Sequence, residues 1–170
     1  YSRDGRYPSE AHPEPKHFAV ARVKPLTPQQ LGTSLKVATA DPAGFVGLKA
    51  DEFEKKVEQL EAAGRGIAPL IAAPTDDFQI GVGEALLFSN GDRVAKDVLA
   101  DGGVLAKAAA AGDPAAGVAL LVKAAYTRPP TADETAALIE YVRRRHDRPA
   151  EAYRQVLWAL LTSPEFRFCP

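Results

Sequence analysis

Ala150-Glu151-Ala152-Tyr153-Arg154-Gln155-Val156-Leu157-Trp158-Ala159-Leu160-Leu161-Thr162-Ser163-Pro164-Glu165-Phe166-Arg167-Phe168 is the stretch on which the fold turns. Tyr153, Val156, Leu157, Leu160 and Leu161 recur at the i, i+3, i+4, i+7, i+8 spacing that lines one stripe of an α-helix. Trp158 widens the stripe, so the spacing predicts a helix that is the central post of the core. Each large side chain buried contributes roughly 1.5–3 kcal/mol before chain entropy is subtracted, and no other stretch offers as many. On this reading Trp158→Ala costs about 3–5 kcal/mol. The helix carries no recognisable catalytic group.

Upstream of it, the start and stop signals are those of more helices. Thr27, Pro28 and Gln30 form a helix start with a capping box, Leu26 and Leu31 sit at staple positions, and Leu31, Leu35 and Ala38 face inward. Asp41-Pro42-Ala43-Gly44 breaks that helix. The next begins near Asp51, with Phe53, Val57 and Leu60 inward, and is ended by Gly64 and Gly66. Ile67 to Pro74 is apolar, short and flanked by proline, and its periodicity decides nothing. Short helices are predicted over Gly81 to Phe88, closed by Asn90-Gly91, and over Arg93 to Leu99. Alanine-rich Val104 to Ala111 favours helix by propensity. Asp113 caps the next, with Pro114 in its first turn and Val118, Leu121, Val122 and Ala125 inward. Arg128-Pro129-Pro130 forces an extended corner. Thr131 and Glu134 form a second capping box, opening a helix with Leu138, Ile139 and Val142 inward. Pro149 starts the final long helix, and Ser163-Pro164-Glu165 caps one last turn.

No segment alternates with period two, and no unit repeats. The expected class is all-α: a single compact array of about six to eight helices over 26–170, preceded by an extended proline-rich arm, 1–25. At 170 residues one domain is the default. Hydrophobic residues at 46% and charged residues at 25% are ordinary for a globular chain. The formal net charge of −1 provides no basic field, which argues against nucleic acid. No apolar run approaches the length of about eighteen residues that spans a bilayer. The single cysteine, Cys169, excludes an internal disulfide and a multi-cysteine zinc site. With Tyr1 first and no methionine, the chain reads as processed or as a piece of something longer.

Three segments, Glu84-Ala85-Leu86-Leu87-Phe88-Ser89-Asn90-Gly91, Ala125-Tyr126-Thr127-Arg128-Pro129-Pro130-Thr131-Ala132-Asp133-Glu134 and Leu157-Trp158-Ala159-Leu160-Leu161-Thr162-Ser163-Pro164-Glu165-Phe166, carry a resemblance as a set. In order and spacing, the chain resembles the C-terminal domain of the secreted planctomycetal proteins that contain domains of unknown function 1549 and 1553. The likeness covers about 84–168 well and 18–39 more loosely. Thr162 stands where that family usually has Asn, and Cys169-Pro170 replaces its usual polar ending. The resemblance implies a secreted, periplasmic or envelope location and large multidomain parents, some with a cytochrome c module. It implies no established activity. Haem attachment needs Cys-x-x-Cys-His, which this chain lacks, and no cofactor is expected.

Arg128, Glu134 and Glu165, with Asn90, occupy motif positions of that resemblance and are the candidate ligand contacts. Arg128 would clamp an anionic or sugar ligand with a carboxylate beside it. Alternatively, Arg128 crosses the corner to hold carbonyls or Glu165, while Glu134 closes its capping box; this structural reading is favoured because such a pair needs no ligand to explain it. His12, Glu14 and His17 have metal-ligand chemistry, but Pro13 and Pro15 exclude the helix of a His-Glu-x-x-His site, and no metal is expected. Asp76, Asp77 and Glu84 would suit glycoside hydrolysis or calcium, though adjacent aspartates in a turn are usually solvated. Gly81-Val82-Gly83 lacks the strand and third glycine of a phosphate loop. Trp158 with Tyr153 would form a sugar platform only if exposed. Arg143-Arg144-Arg145-His146 reads as a solvated helix end that complements the macrodipole, with docking of an acidic partner as the minor reading. The expected function is a non-catalytic structural or interaction module, partnered by other domains of a parent protein or by envelope proteins. The alternative is a carbohydrate-binding or polysaccharide-degrading domain.

Overall fold

The computed structural model describes residues 24–71 and 96–169. The arm up to residue 23, the predicted helix Gly81–Phe88, the first three residues of the predicted helix Arg93–Leu99 and the candidate residues Asn90, His12, Glu14, His17, Asp76, Asp77 and Glu84 lie outside them. The described residues form an all-α array of seven α-helices and two 3-10 turns. The helices are α1 (Pro28–Thr39), α2 (Ala50–Arg65), α3 (Gly103–Ala110), α4 (Pro114–Tyr126), α5 (Ala132–Arg144), α6 (Pro149–Thr162) and α7 (Pro164–Arg167). The 3-10 turns span Pro42–Phe45 and Ala68–Leu70. One antiparallel pair of two-residue strands, β1 (Lys24–Pro25) and β2 (Phe168–Cys169), joins the two ends of the described chain. The Leu26 amide donates to the Arg167 carbonyl at 2.9 Å and extends that pairing.

The helices start where the capping chemistry puts them. Thr27 Oγ1 accepts from the Gln30 amide at 3.3 Å, and Gln30 Oε1 accepts from the Thr27 amide at 2.9 Å. Asp113 accepts from the amides of Ala115 and Ala116 at 3.2 and 3.3 Å. Each such cap satisfies first-turn donors that have no partner inside the helix.

The core is shared between two helices. α6 buries Ala152, Tyr153, Val156, Leu157, Leu160 and Leu161, the predicted stripe. α4 buries Gly117, Val118, Leu121 and Val122 and packs on α3, α6, α5, α1 and α7, beside α6 at the centre of the array. Leu31, Leu35 and Ala38 close the core from α1.

Three expectations are corrected. Trp158 is 37% exposed and does not belong to the core. It follows Leu157 by one residue, about 100° around the helix, and so passes the edge of the stripe. Phe53 is 49% exposed, its ring set edge-on to Phe45 with centroids 6.4 Å apart. Among the described residues α2 is peripheral: it packs chiefly on α1, with the Ala68–Leu70 turn and Phe45 beside it, and its one buried residue is Gly64. Gly66 caps that helix as expected, but Gly64 lies within its last turn, against Gly32 of α1. A Cβ on Gly32 would sit 2.5 Å from the Gly64 carbonyl oxygen, so the two helices cross where neither carries a side chain.

Candidate functional site: the arginine corner

The corner between α4 and α5 is built by Tyr126, Thr127, Arg128 and two prolines. Thr127 caps α4 in the left-handed region, φ 57°, which a β-branched residue rarely adopts. Its amide still donates to the Lys123 carbonyl at 2.9 Å, and its hydroxyl donates to the Tyr126 carbonyl at 2.7 Å. The turn aims Arg128 between the start of α5 and the short α7.

Arg128 then binds both carboxylates. Nε and Nη2 donate to the two oxygens of Glu165 at 2.6 and 2.7 Å. Nη1 and Nη2 donate to the two oxygens of Glu134, both at 2.8 Å, and Nη1 also reaches the Pro129 carbonyl at 3.1 Å. A guanidinium has five N–H donors, and these contacts use all five. Glu134 does two jobs, since its Oε2 also accepts from the Thr131 amide at 2.7 Å in the capping box. The Arg128 hydrogen bonds, with the Thr131 amide second, hold the Glu134 carboxyl down at about 2. The same two carboxylates push the Arg128 guanidinium further up.

Tyr126 closes the inner side. The Arg128 guanidinium carbon stands 5.0 Å from its ring centroid, and its hydroxyl donates to Ser163 Oγ at 2.8 Å. Burial pushes the phenol up, against the lowering effect of the Ser163 bond. Ser163 Oγ also accepts from the Phe166 amide at 3.3 Å, capping α7. Sequence reasoning names Arg128, Glu165 and Glu134 and the structure brings these three together. It passes over Tyr126 and Ser163 as participants; the signal was adjacency, Tyr126 preceding the corner and Ser163 the helix-starting proline.

Other features disperse. Arg154 donates to Asp101, to Glu151 and to the Leu99 carbonyl, an anchor for the Leu99–Asp101 segment that spacing could not reveal. Tyr153 is buried while Trp158 is not, so they form no joint platform. A groove of about 380 Å³ between α1 and the α4–α7 side is lined by Val37, Tyr126, Glu165 and Phe168, among others. Arg128 is not among its walls. Among the described residues no three His, Cys, Asp or Glu side chains cluster to hold a metal, and no helix is long and apolar enough to cross a membrane.

Fold and corner together define a class: an all-α array whose most elaborate polar feature is an arginine fork closed on two carboxylates. No protein-family model matches the chain, and no curated protein or solved structure matches it.

Proposed function

We propose that this chain is a non-catalytic helical module, a structural or interaction domain of a larger secreted, periplasmic or envelope-associated protein. One observation supports the reading above others: every donor of Arg128 is spent on groups of its own chain. A ligand anion would have to displace a bidentate carboxylate, exchanging an equal interaction for one that also loses translational freedom. The corner therefore works as a staple between α4, α5 and α7. The location and the partners, other domains of a parent protein or envelope proteins, rest on the resemblance described above.

A carbohydrate-binding or polysaccharide-degrading role is the competing reading. The groove beside Glu165 favours it, with Tyr126 as the ring a sugar would meet. A thermal-shift panel of polysaccharide fragments, divalent metals and haem separates the two, because a ligand that binds only the native state raises apparent stability. The module reading expects no shift. A reproducible shift with a polysaccharide that disappears in Glu165→Ala would replace it with the carbohydrate reading.

A further inference from the structure

We infer that a hollow where four helix ends meet receives an acidic side chain from a partner protein; this rests on the interaction-module reading and names the partner's chemistry. α3 ends at Ala110 and α5 at Arg144, while α4 starts at Pro114 and α6 at Pro149. Between them lies a hollow of about 280 Å³ lined by Gly112, Pro114, Val142, Arg143, His146 and Tyr153, among others. Gly112, φ 71°, makes the left-handed turn that separates α3 from α4, and a Cβ there would meet only open space.

Two buried side chains, Val142 and Tyr153, help to line the hollow. Val142 and Tyr153 are 4% and 5% exposed. The Tyr153 hydroxyl makes no hydrogen bond with any described residue, yet it is not sealed within the core. A phenol this deeply buried normally finds a partner, and a hydroxyl left without one costs stability. Because that hydroxyl is not sealed, water or a polar group entering the hollow that Tyr153 lines can serve it.

The rim supplies the sign of that partner. Within the basic run, Arg144 is paired with Glu140, Arg148 with Asp147, and Arg145 stacks 4.8 Å from the Tyr141 ring centroid. Arg143 and His146 are exposed and have no ion pair among the described residues. Of the acidic groups beside this run, Glu140 and Asp147 are paired with Arg144 and Arg148, and Asp113, which acts on the Tyr153 phenol, is engaged by the Ala115 and Ala116 amides. α6 also begins here without a side-chain cap, which leaves its first amides turned toward an anion.

The volume lies just below the roughly 300–1,000 Å³ of small-molecule sites. It suits one carboxylate side chain of a peptide, held between Arg143 and His146, with the Tyr153 hydroxyl donating to it. Flanking acidic residues would then face Arg144, Arg145 and Arg148.

Fluorescence anisotropy of the full chain with fluorescein-labelled hexaglutamate at low salt tests this. Saturable binding is expected, weakened about tenfold or more by Arg143→Glu and about threefold by Tyr153→Phe. Arg65→Glu, an exposed arginine on α2, should leave it unchanged. Tyr153→Phe removes a hydroxyl with no internal partner, so its melting temperature should stay at the parent value, separating lost binding from lost fold. Absence of saturable binding, an equal loss in Arg65→Glu, or parent affinity in Tyr153→Phe would each overturn the site. Free glutarate or an oligogalacturonate binding as tightly as hexaglutamate would overturn a peptide occupant. Failure here leaves the module reading standing, since that reading falls only to a polysaccharide, metal or haem shift in the thermal panel.

Discussion

Arg128 presents one rigid plane to two carboxylates, and that geometry sets what its loss costs. Because the side chain is about one-third exposed, solvent screens the ion pairs, and the net worth is well below that of a buried network. Arg128→Ala should still lower stability by about 1–2 kcal/mol in a urea melt, since it leaves Glu134 and Glu165 facing each other. Arg128→Lys should recover only part, because a point charge cannot serve both carboxylates bidentately. The pH dependence has a definite sign. The Glu134 carboxyl is held at about 2, against an ordinary 4.5, so its contribution is complete above about pH 4.5 and is lost as pH falls toward 2. Glu134→Gln should flatten that part of the stability–pH curve; an unchanged slope would mean the fork is not formed in solution. At this scale the sequence was informative about partners and silent about conformation. Arg128 and Glu165 could be paired in advance because a charged fork beside two prolines needs a fixed acceptor. Thr127 in the left-handed region could not, since nothing in a threonine announces it.

Among elements, caps and breakers were the most readable signals, because they act through a few neighbouring residues. Thr27, Asp113, Thr131 and Ser163 all cap the helices they were expected to cap. Faces were readable only where a helix is enclosed. The stripe of α6 is buried as its spacing predicts, but Trp158 lies off its edge, and α2 has too few neighbours to cover Phe53. The difference is measurable. Leu157→Ala should cost about 2–5 kcal/mol as a fully buried truncation. Trp158→Ala should cost less than Leu157→Ala by the same denaturant melt, the reverse of what residue size alone suggests. The crossing of α1 over α2 through Gly32 and Gly64 was misread as a helix end, since a glycine near a helix terminus looks alike whether it stops the helix or admits a neighbour.

For the whole molecule, enclosure differs between one side and the other. α4 and α6 lie between other helices, whereas α2 packs chiefly on α1 among the described residues. Hydrogen exchange should therefore be slowest for amides of Val118–Val122 and Val156–Leu161 and markedly faster along α2. Uniform protection across these helices would contradict the layout. The class of fold was legible because it follows from periodicity summed over many residues. The hollow at Tyr153 was not, because it is made by four helix ends that only the tertiary arrangement brings together; the basic run of 143–146 was visible, but the buried side chains beside it were not.

The pairing of β1 with β2 also fixes how the molecule would respond to tension. Lys24 lies opposite Cys169, so the chain reaches and leaves the described fold side by side. A force drawing residues 24 and 169 apart would open that pair like a zipper, one hydrogen bond at a time, and would next load the amide of Leu26 on the carbonyl of Arg167. Resistance in that direction is weak because the bonds break in series, not together. The first mechanical event would be a peeling of the seam, with α4 and α6 still packed behind it.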